Sequence, residues 1–468
     1  MAWTSLTVDR DTWEQAGERL RAGSSSLVSL WGEPGVARLA LIDPSSHVEV
    51  LELPCSEQRF PSIGRVHPPA IRLERTMRDL AGLEAENAPD TRPWLRHAAP
   101  YPFLPAEGES LHQIPVGPVH AGIIEPGHFR FQCHGEHVLH LEVSLGYQHR
   151  GVERALVGGP NKRTVHYMET LAGDTSVGHT TAYCQALEGL GGVRVPARAE
   201  VLRAVALELE RLANHTGDLG ALAGDVGYLP TASYCGRLRG EFLNMTALLC
   251  GSRFGRGMVR PGGVGFDVDA PRAAELLERL ERTMTDVTSA VGLLWDEPSV
   301  QARFEETGPL SRVACEQLGL VGLVARACGL QRDVRHEFPS GLFRFSQVPL
   351  STWHTGDVFA RAYVRWLEIQ RSAAFVREQL TVLPDGPTRA ALEPARADGL
   401  VVGLVEGWRG EICHVAMTDG RGRLARYKVV DPSFHNWMGL AIALRGQQIS
   451  DFPLCNKSFN LSYCGHDL

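Results

Sequence analysis

No Cys-x-x-Cys pair occurs anywhere in the 468 residues, although ten cysteines are present. Without paired thiolates at that spacing, neither a structural zinc nor an iron–sulfur cluster held by this chain alone is expected. The cysteines sit singly in apolar surroundings, such as Leu248-Leu-Cys250 and Arg326-Ala-Cys328, the pattern of small buried residues in a reducing compartment. No Gly-Lys-Ser/Thr run occurs and no Gly-x-Gly-x-x-Gly follows a strand-like segment, which argues against nucleotide binding by this chain. No stretch reaches about 18 uninterrupted apolar residues, so no membrane-spanning helix is expected. The opening Met1-Ala-Trp-Thr-Ser5 lacks a basic segment followed by an apolar run, which argues against a signal peptide. A formal net charge of −7 gives no reason to expect a nucleic-acid partner.

What is present is an ordinary globular composition, 44% hydrophobic and 22% charged, in a chain long enough for two or three domains. Leu27–Leu30, Ala37–Ile42 and the alternating Val48–Leu53 read as short strands. Leu73–Leu83 reads as a helix ending at Gly82, and the Pro- and Ala-rich residues 101–117 read as a linker. Beyond it, Phe131-Gln-Cys-His-Gly-Glu136 predicts a hairpin with a glycine turn, followed by Gly146-Tyr-Gln-His-Arg-Gly-Val-Glu153.

The middle of the chain reads as long helices. Ala199–Gly217 carries apolar residues near a 3.6 period, with Glu208, Glu210, Arg211, Asn214 and His215 at helical spacing. Two readings of that polar set stay open: a solvated face with pairs such as Glu210–Asn214 and Arg211–His215, or a functional helix facing a cleft. Gly236–Leu248 predicts a second helix ending at Gly251. The glycine-rich loop Arg253–Val264 contains arginines suited to clamping carboxylates. A further helix begins near Thr355, read as its cap. Asp419-Gly420 marks the turn of a late hairpin, and Asp431-Pro-Ser-Phe-His-Asn-Trp437 follows it.

In order, these segments resemble a known series. Pro61-Ser62, Glu74–Asp79 with Gly82, and Pro89-Asp-Thr-Arg92 are similar to a shortened C-type subunit of complex I. Pro118-Val-His120 through His128, Gly146–Glu153, Arg260-Pro-Gly-Gly-Val264, Val405-Glu-Gly-Trp-Arg-Gly-Glu411 and Asp431–Trp437 resemble the hydrogenase-like D-type subunit of complex I. They equally resemble the group 4 membrane-bound nickel–iron hydrogenases, which include hydrogenase-4 and formate hydrogenlyase. The resemblance spans residues 61–468. It implies an α+β chain with a small α+β domain at 1–100, the linker at 101–117, and at 118–468 a mainly helical domain like a hydrogenase large subunit with peripheral hairpins.

The resemblance also shows what is missing. Two segments, Ala172-Gly-Asp-Thr-Ser-Val-Gly-His179 and Asn460-Leu-Ser-Tyr-Cys-Gly-His-Asp467, align with those that each supply two thiolates to a nickel–iron centre. Here the four positions are Ala172, Thr175, Ser462 and Gly465. Soft thiolate donors are what such a centre requires, and alanine and glycine ligate nothing. The resemblance therefore implies a hydrogenase-type scaffold with no metal ligands.

From the family, His120, Glu125, His128, Asp174, His179, His466 and Asp467 are expected around the lost metal position. Glu125 is the candidate proton-relaying carboxylate, because burial near histidines shifts such a group toward neutral pH. His120, His128 or Tyr463 would meet a quinone headgroup. The tyrosine that complex I places in the first segment has no counterpart at Gly173 or Asp174. The implied function is a fused C/D-type subunit of a complex I-like or hydrogenase-4-like respiratory oxidoreductase, fed by NAD(P)H or another donor. It would lie peripherally on the cytoplasmic face of the cell membrane. No cofactor would be bound directly except a quinone, with iron–sulfur clusters and any NAD in partner subunits. The partners would be a small iron–sulfur subunit and integral membrane antiporter-like and anchor subunits. The alternatives are a redox-silent scaffold and, against the missing thiolates, an active hydrogenase.

Overall fold

The computed structural model describes residues 5–95 and 101–467. Met1–Thr4, read above for a leader, and residues 96–100, at the end of the expected first domain, lie outside the described residues. The chain is mixed α+β, with several small sheets set around long helices. Among the described residues, no helix is long and apolar enough to cross a membrane.

The N-terminal part is one four-stranded sheet covered by helices. β1 (Ser5–Thr7) pairs parallel with β4 (Val48–Pro54), and β2 (Ser26–Glu33), β3 (Val36–Ile42) and β4 run antiparallel. The Asp9 carboxylate caps α1 (Arg10–Arg21), and α2 (Ala70–Ala81) closes at Gly82, whose φ of 68° is the left-handed turn that glycine adopts without strain. β5 (Arg59–Pro61) pairs with β6 (Glu84–Glu86).

A second sheet is built from β7 (Leu111–Val116), β8 (His128–His134) and β9 (His137–Ser144), with Gly135 in the β8–β9 turn. β7 falls in the stretch read as linker. It is an edge strand of exposed and half-buried residues and tolerates Pro115, so no apolar alternation announces it.

The helical body holds α3 (Ser176–Gly191), α4 (Ala197–Asp225), α5 (Leu229–Cys250), α6 (Ala270–Asp296) and α7 (Val358–Thr381). α4 packs between α5 and α7, and α6 lies against both of these. α5 stops at Gly251, as expected, with φ 75°. α7 is capped by the Asp357 carboxylate, which accepts from the Ala360 N–H. Thr355, expected as the cap, donates its hydroxyl to Asp357 instead.

The third sheet, β10 (Leu400–Glu406), β11 (Glu411–Thr418) and β12 (Leu424–Val430), is antiparallel and buried on both faces. Side chains alternate across a strand. Leu400, Val402, Leu404, Cys413, Val415 and Val430 join the core of the N-terminal sheet, while Val401, Val405, Ile412, Ala416, Tyr427 and Val429 join that of the helices. One sheet thus fastens the two halves of the chain together. The C-terminus continues as α8 (Pro432–Ala443), α9 (Phe452–Phe459) and a final turn, α10 (Tyr463–His466).

Where α4, α7 and β10 meet, the protein buries a cluster of charges. Arg211 bonds Glu208 at 3.0 Å and Glu368 at 3.1 Å; Arg326 bonds Glu368 and Glu406, each at 2.7 Å; Arg335 bonds Asp333 at 2.6 Å and Glu208 at 3.0 Å. His215 meets Glu368 at 2.8 Å. The reading of a solvated face on α4 is therefore wrong: partners more than 100 residues away enclose it. The amide of Asn214 donates to the Glu210 carbonyl rather than to its side chain. Four carboxylates face three guanidinium groups, and burial pushes Glu406 up to about 7, where it readily holds a proton.

Breaking a buried ion pair by removing one partner leaves an uncompensated charge, at a cost of about 3–5 kcal/mol. Glu368→Ala removes the carboxylate that Arg211 and Arg326 share, leaving Arg211 with Glu208 and Arg326 with Glu406 and Asp333, and denaturant unfolding of the full chain is expected to show a loss of that size. The exposed Glu281, paired with Arg377, is the control: Glu281→Ala should move the midpoint little. Equal effects from the two substitutions would show that the cluster carries no special share of the stability.

Candidate functional site

The two segments that align with metal-binding motifs converge. The first forms the start of α3 and the second forms α10, and Asp431 at the N-terminus of α8 stands between them. Asp431 accepts from His179 Nε2 at 3.0 Å and from the Ser433 N–H at 2.8 Å. Its carboxyl lies so close to Gly465 that a Cβ there would be 2.6 Å from Asp431 Cγ. Burial would raise the Asp431 pKa, but the hydrogen bond and charge of His179 and the charge of Arg409 hold it below the usual carboxylate value. Ser433 Oγ accepts from the Ser462 N–H at 2.9 Å, which ties the second segment to the same turn.

Asp174 is closed by a fork of two bonds from Arg409, 2.7 Å at Nη2. Burial opposes its charge, yet Arg409 wins and lowers its pKa. Arg409 also reaches the carbonyl of Asn460 in the second segment. Trp408 donates to Thr175 Oγ1 at 3.1 Å. The Trp408–Gly410 turn sits tight against Gly322, where a Cβ would lie 2.1 Å from the Arg409 carbonyl oxygen. Glycine at 322 is what lets this turn seat Arg409 at the site.

On the other side, the hairpin meets α10. His120 Nε2 is 3.2 Å from the Tyr463 hydroxyl, and Glu125 accepts from the Cys464 N–H at 3.2 Å. Burial raises the Tyr463 hydroxyl to about 12 and the Cys464 thiol to about 11, so both stay protonated near neutrality. Asp467 accepts from the Gly146 and Gln148 N–H groups at 2.8 Å and from His466 at 2.6 Å. That explains the Gly-Tyr-Gln-His-Arg motif: it anchors the C-terminus. Trp94, from the N-terminal part, stacks on His466 at 4.3 Å.

Seven of the eight residues singled out in the sequence thus line these two connected groups. His128 is the exception. Phe129 and Phe131 point into the core beside α9, so the alternation of β8 turns His128 to the other face, where its ring lies 5.0 Å from Phe103. Residues the sequence reading passed over are Arg409 and Asp431, which lie in motifs quoted only as landmarks, together with His414 and Tyr427; Glu210 was named only within the polar set on α4. Strand parity alone places His414 and Tyr427 on one face, but says nothing of what that face meets.

The residues present do not fit a nickel–iron centre. Thr175 Oγ1 is held by Asp174 and Trp408, Ser462 Oγ accepts from the Gly465 N–H at 2.9 Å, and Asp431 fills the space a residue-465 side chain would need. Among the described residues, no group of three or more His, Cys, Asp or Glu side chains is placed to hold a metal ion. A cleft of about 570 Å³ opens elsewhere, between α3, α4, β10 and residues 338–344, and none of the singled-out residues lines it.

Glu210 lies beside this site, on α4. Its carboxylate accepts the Val177 and Gly178 N–H groups at the start of α3, at 2.7 and 3.1 Å. With Asp174, Asn214, Arg239 and Arg253 it lines a cavity of about 10 Å³. Burial raises its pKa from 4.5 to about 8, outweighing the two donors.

Comparison with known proteins gives consistent relatives. The family described as "Respiratory-chain NADH dehydrogenase, 49 Kd subunit" matches residues 225–398 and 390–467. The chain is 33% identical over 354 residues to the carbon monoxide-induced hydrogenase of Rhodospirillum rubrum, covering 75% of this chain and 98% of that protein. It is 29% identical over 433 residues to hydrogenase-4 component G of Escherichia coli (strain K12), covering 87% and 75%. To the D-type subunit of NADH-quinone oxidoreductase from Carboxydothermus hydrogenoformans it is 29% identical over 341 residues, covering 72% and 93%.

Glu210 makes a pH signature. A carboxyl whose pKa rises on folding contributes stability that is present below about 4.5 and lost as pH climbs through about 8. Glu210→Gln cannot ionise, so its melting temperature should gain on the wild type steadily between these values. A difference that stays constant with pH would show that Glu210 titrates normally.

Proposed function

The chain belongs to the family of the respiratory-chain NADH dehydrogenase 49 Kd subunit, and on that premise we propose that it is a nickel-free subunit of a membrane-associated respiratory oxidoreductase, complex I-like or hydrogenase-4-like. The observation that carries this reading is Asp431. Its carboxylate stands against Gly465, where the resemblance would place a thiolate, and the polar groups around it are joined to one another. A scaffold that had kept the metal would need that space.

The polar groups beside it suit an organic acceptor. His120 and Tyr463 form a hydrogen-bonded pair between the hairpin and α10, and both can donate to a quinone oxygen. Cluster and nicotinamide chemistry would come from partner subunits. The β7–β8 loop supports such an assembly: Val119 is 80% exposed and Ile123 99%, apolar residues on the loop that carries His120, which a small iron–sulfur subunit would cover. Membrane subunits would then hold the chain at the cytoplasmic face. A redox-silent scaffold is the competing reading, favoured by the complete closure of Asp174 by Arg409.

The test is elemental analysis of the native assembly, with identification of the subunits that purify with it. Nickel far below one per chain, with iron carried by a small partner, is the expected result; nickel near one per chain would overturn the reading. Tyr463→Phe removes one hydrogen bond, and a loss of about 1.4 kcal/mol is tenfold in rate. Quinone-dependent turnover should therefore fall about tenfold, with the KM for the electron donor unchanged. Wild-type turnover in this variant and in His120→Ala would favour the silent scaffold.

A further inference from the structure

The cleft of about 570 Å³ between α3, α4, β10 and residues 338–344 has the size of a small-molecule site, for which about 300–1,000 Å³ is typical. Thr181, Gln185 and Glu188 on α3, and Glu200, Ala204 and Leu207 on α4, line it at helical spacing. Val401 and Val405 of β10, with the rings of Phe338 and Phe343, make the interior largely apolar, and Phe343 is braced by stacking on Phe375 at 5.6 Å. One lip is the β3–β4 turn Ser45–His47, which belongs to the N-terminal sheet. Asp43 shapes this turn by accepting from the Ser45 N–H and hydroxyl and from the His47 N–H, at 2.9, 2.6 and 3.0 Å. The other lip is the turn Gly341–Arg344, tied to α4 by Arg344 and Glu200 at 3.4 Å.

The buried charges that line this space are already paired. Arg203 forks Glu188 at 2.6 and 3.0 Å, Arg335 holds Asp333 at 2.6 Å and Glu208 at 3.0 Å, and Arg326 holds Glu406 at 2.7 Å. An ion entering here would lose its water and meet no spare counter-charge, whereas a neutral molecule faces no such cost. A neutral polar pair also lines the cleft. Gln185 Nε2 donates to Ser340 Oγ at 2.9 Å. That bond leaves the Gln185 amide oxygen as an acceptor and the Ser340 hydroxyl hydrogen as a donor, side by side, and among the described residues neither has a second partner. The walls thus offer apolar contact, one acceptor and one donor, and no net charge.

We propose that this cleft binds a neutral, mainly apolar small molecule carrying a carbonyl or hydroxyl oxygen, with its apolar body among Leu207, Phe343 and Val405 and its oxygen on Gln185 and Ser340. The proposal goes beyond the reading of His120 and Tyr463 and does not depend on it, because neither residue lines this space. The occupant would touch the Ser45–His47 turn and α4 at once. It would therefore join the N-terminal sheet to the helical body at a second place, beside the sheet β10–β12 that already fastens them. A molecule that binds the folded chain and not the unfolded one raises the melting temperature by mass action.

Nile red, an uncharged apolar dye with one carbonyl, is the probe. Titrated into the full chain, it should give a saturable blue-shifted emission at one site per chain and raise the melting temperature. Ala204→Phe fills the interior from α4 and should weaken binding at least about tenfold. Should that variant fail to fold, Leu342→Trp closes the same space from the lip, with the same loss expected. Gln185→Leu combined with Ser340→Ala removes both polar groups and should weaken binding about threefold to tenfold, the contribution of one hydrogen bond. Ile123→Ser, on the exposed β7–β8 loop, should bind as the wild type does, and the anion anilinonaphthalene sulfonate should not displace the dye. Wild-type affinity in the folded cavity-filling variants or in the Gln185/Ser340 double variant would overturn the proposal. So would loss of the site in Ile123→Ser, or displacement by the anion. The native assembly should bind the dye as the full chain does; a site closed only there would give the cleft to a partner subunit and overturn the proposal.

Discussion

Arg326 has no route to water, and the interior of the protein is arranged around that fact. Its guanidinium touches Glu368 on α7 and Glu406 at the end of β10, and through Glu368 it is linked to Arg211 and His215 on α4. Charges taken out of water repay their desolvation only when geometry and hydrogen bonding are nearly complete. The long helix, the helix that crosses it and the central sheet therefore have little freedom to slide against one another. An apolar contact would tolerate small shifts; this one sets the register of three elements at once. The turn Glu406-Gly-Trp-Arg-Gly410 leaves the cluster and enters the site directly, so the rigidity of the one is transmitted to the other.

The site is held together by hydrogen bonds between two segments far apart in sequence. Three of the four positions that would hold thiolates carry small residues incapable of soft ligation or a hydroxyl already engaged, and the fourth, Gly465, gives its space to Asp431. The polar atoms that remain satisfy one another: Asp174 with Arg409, Asp431 with His179, Asp467 with the Gly146 and Gln148 N–H groups. Unpaired groups at this depth would cost about 1–3 kcal/mol each. The convergence of the two segments thus rests on these hydrogen bonds. A fold of this kind hosts different chemistries by changing a few residues in one cleft.

Much of the architecture is written locally. Gly82 and Gly251 end their helices because a left-handed residue must follow, and the Gly135 and Asp419–Gly422 turns follow from the same chemistry. The ordered motifs and the absence of Cys-x-x-Cys pairs are likewise properties of residue identity and spacing, whereas the fold is what brings the two segments beside each other. β7 stayed hidden because an edge strand carrying a proline has no burial pattern to display, and Thr355 yielded to Asp357 because a carboxylate two residues on is the better cap.

What the sequence alone determined is therefore the family, the element types and the absence of any Cys-x-x-Cys pair. The tertiary structure decided which polar residues act together. A helical period shows that Glu208, Arg211 and His215 share a side of α4, but not that Arg335, Arg326 and Glu368 will enclose it. Strand alternation pairs His414 with Tyr427, but not with His179, more than 230 residues earlier. The same alternation turns His128 away from the cleft that its motif suggested. The physical reason is common to all three: periodicity fixes direction relative to the element's own axis, whereas burial, pKa and hydrogen-bond partners depend on which other surface the folded chain brings against it.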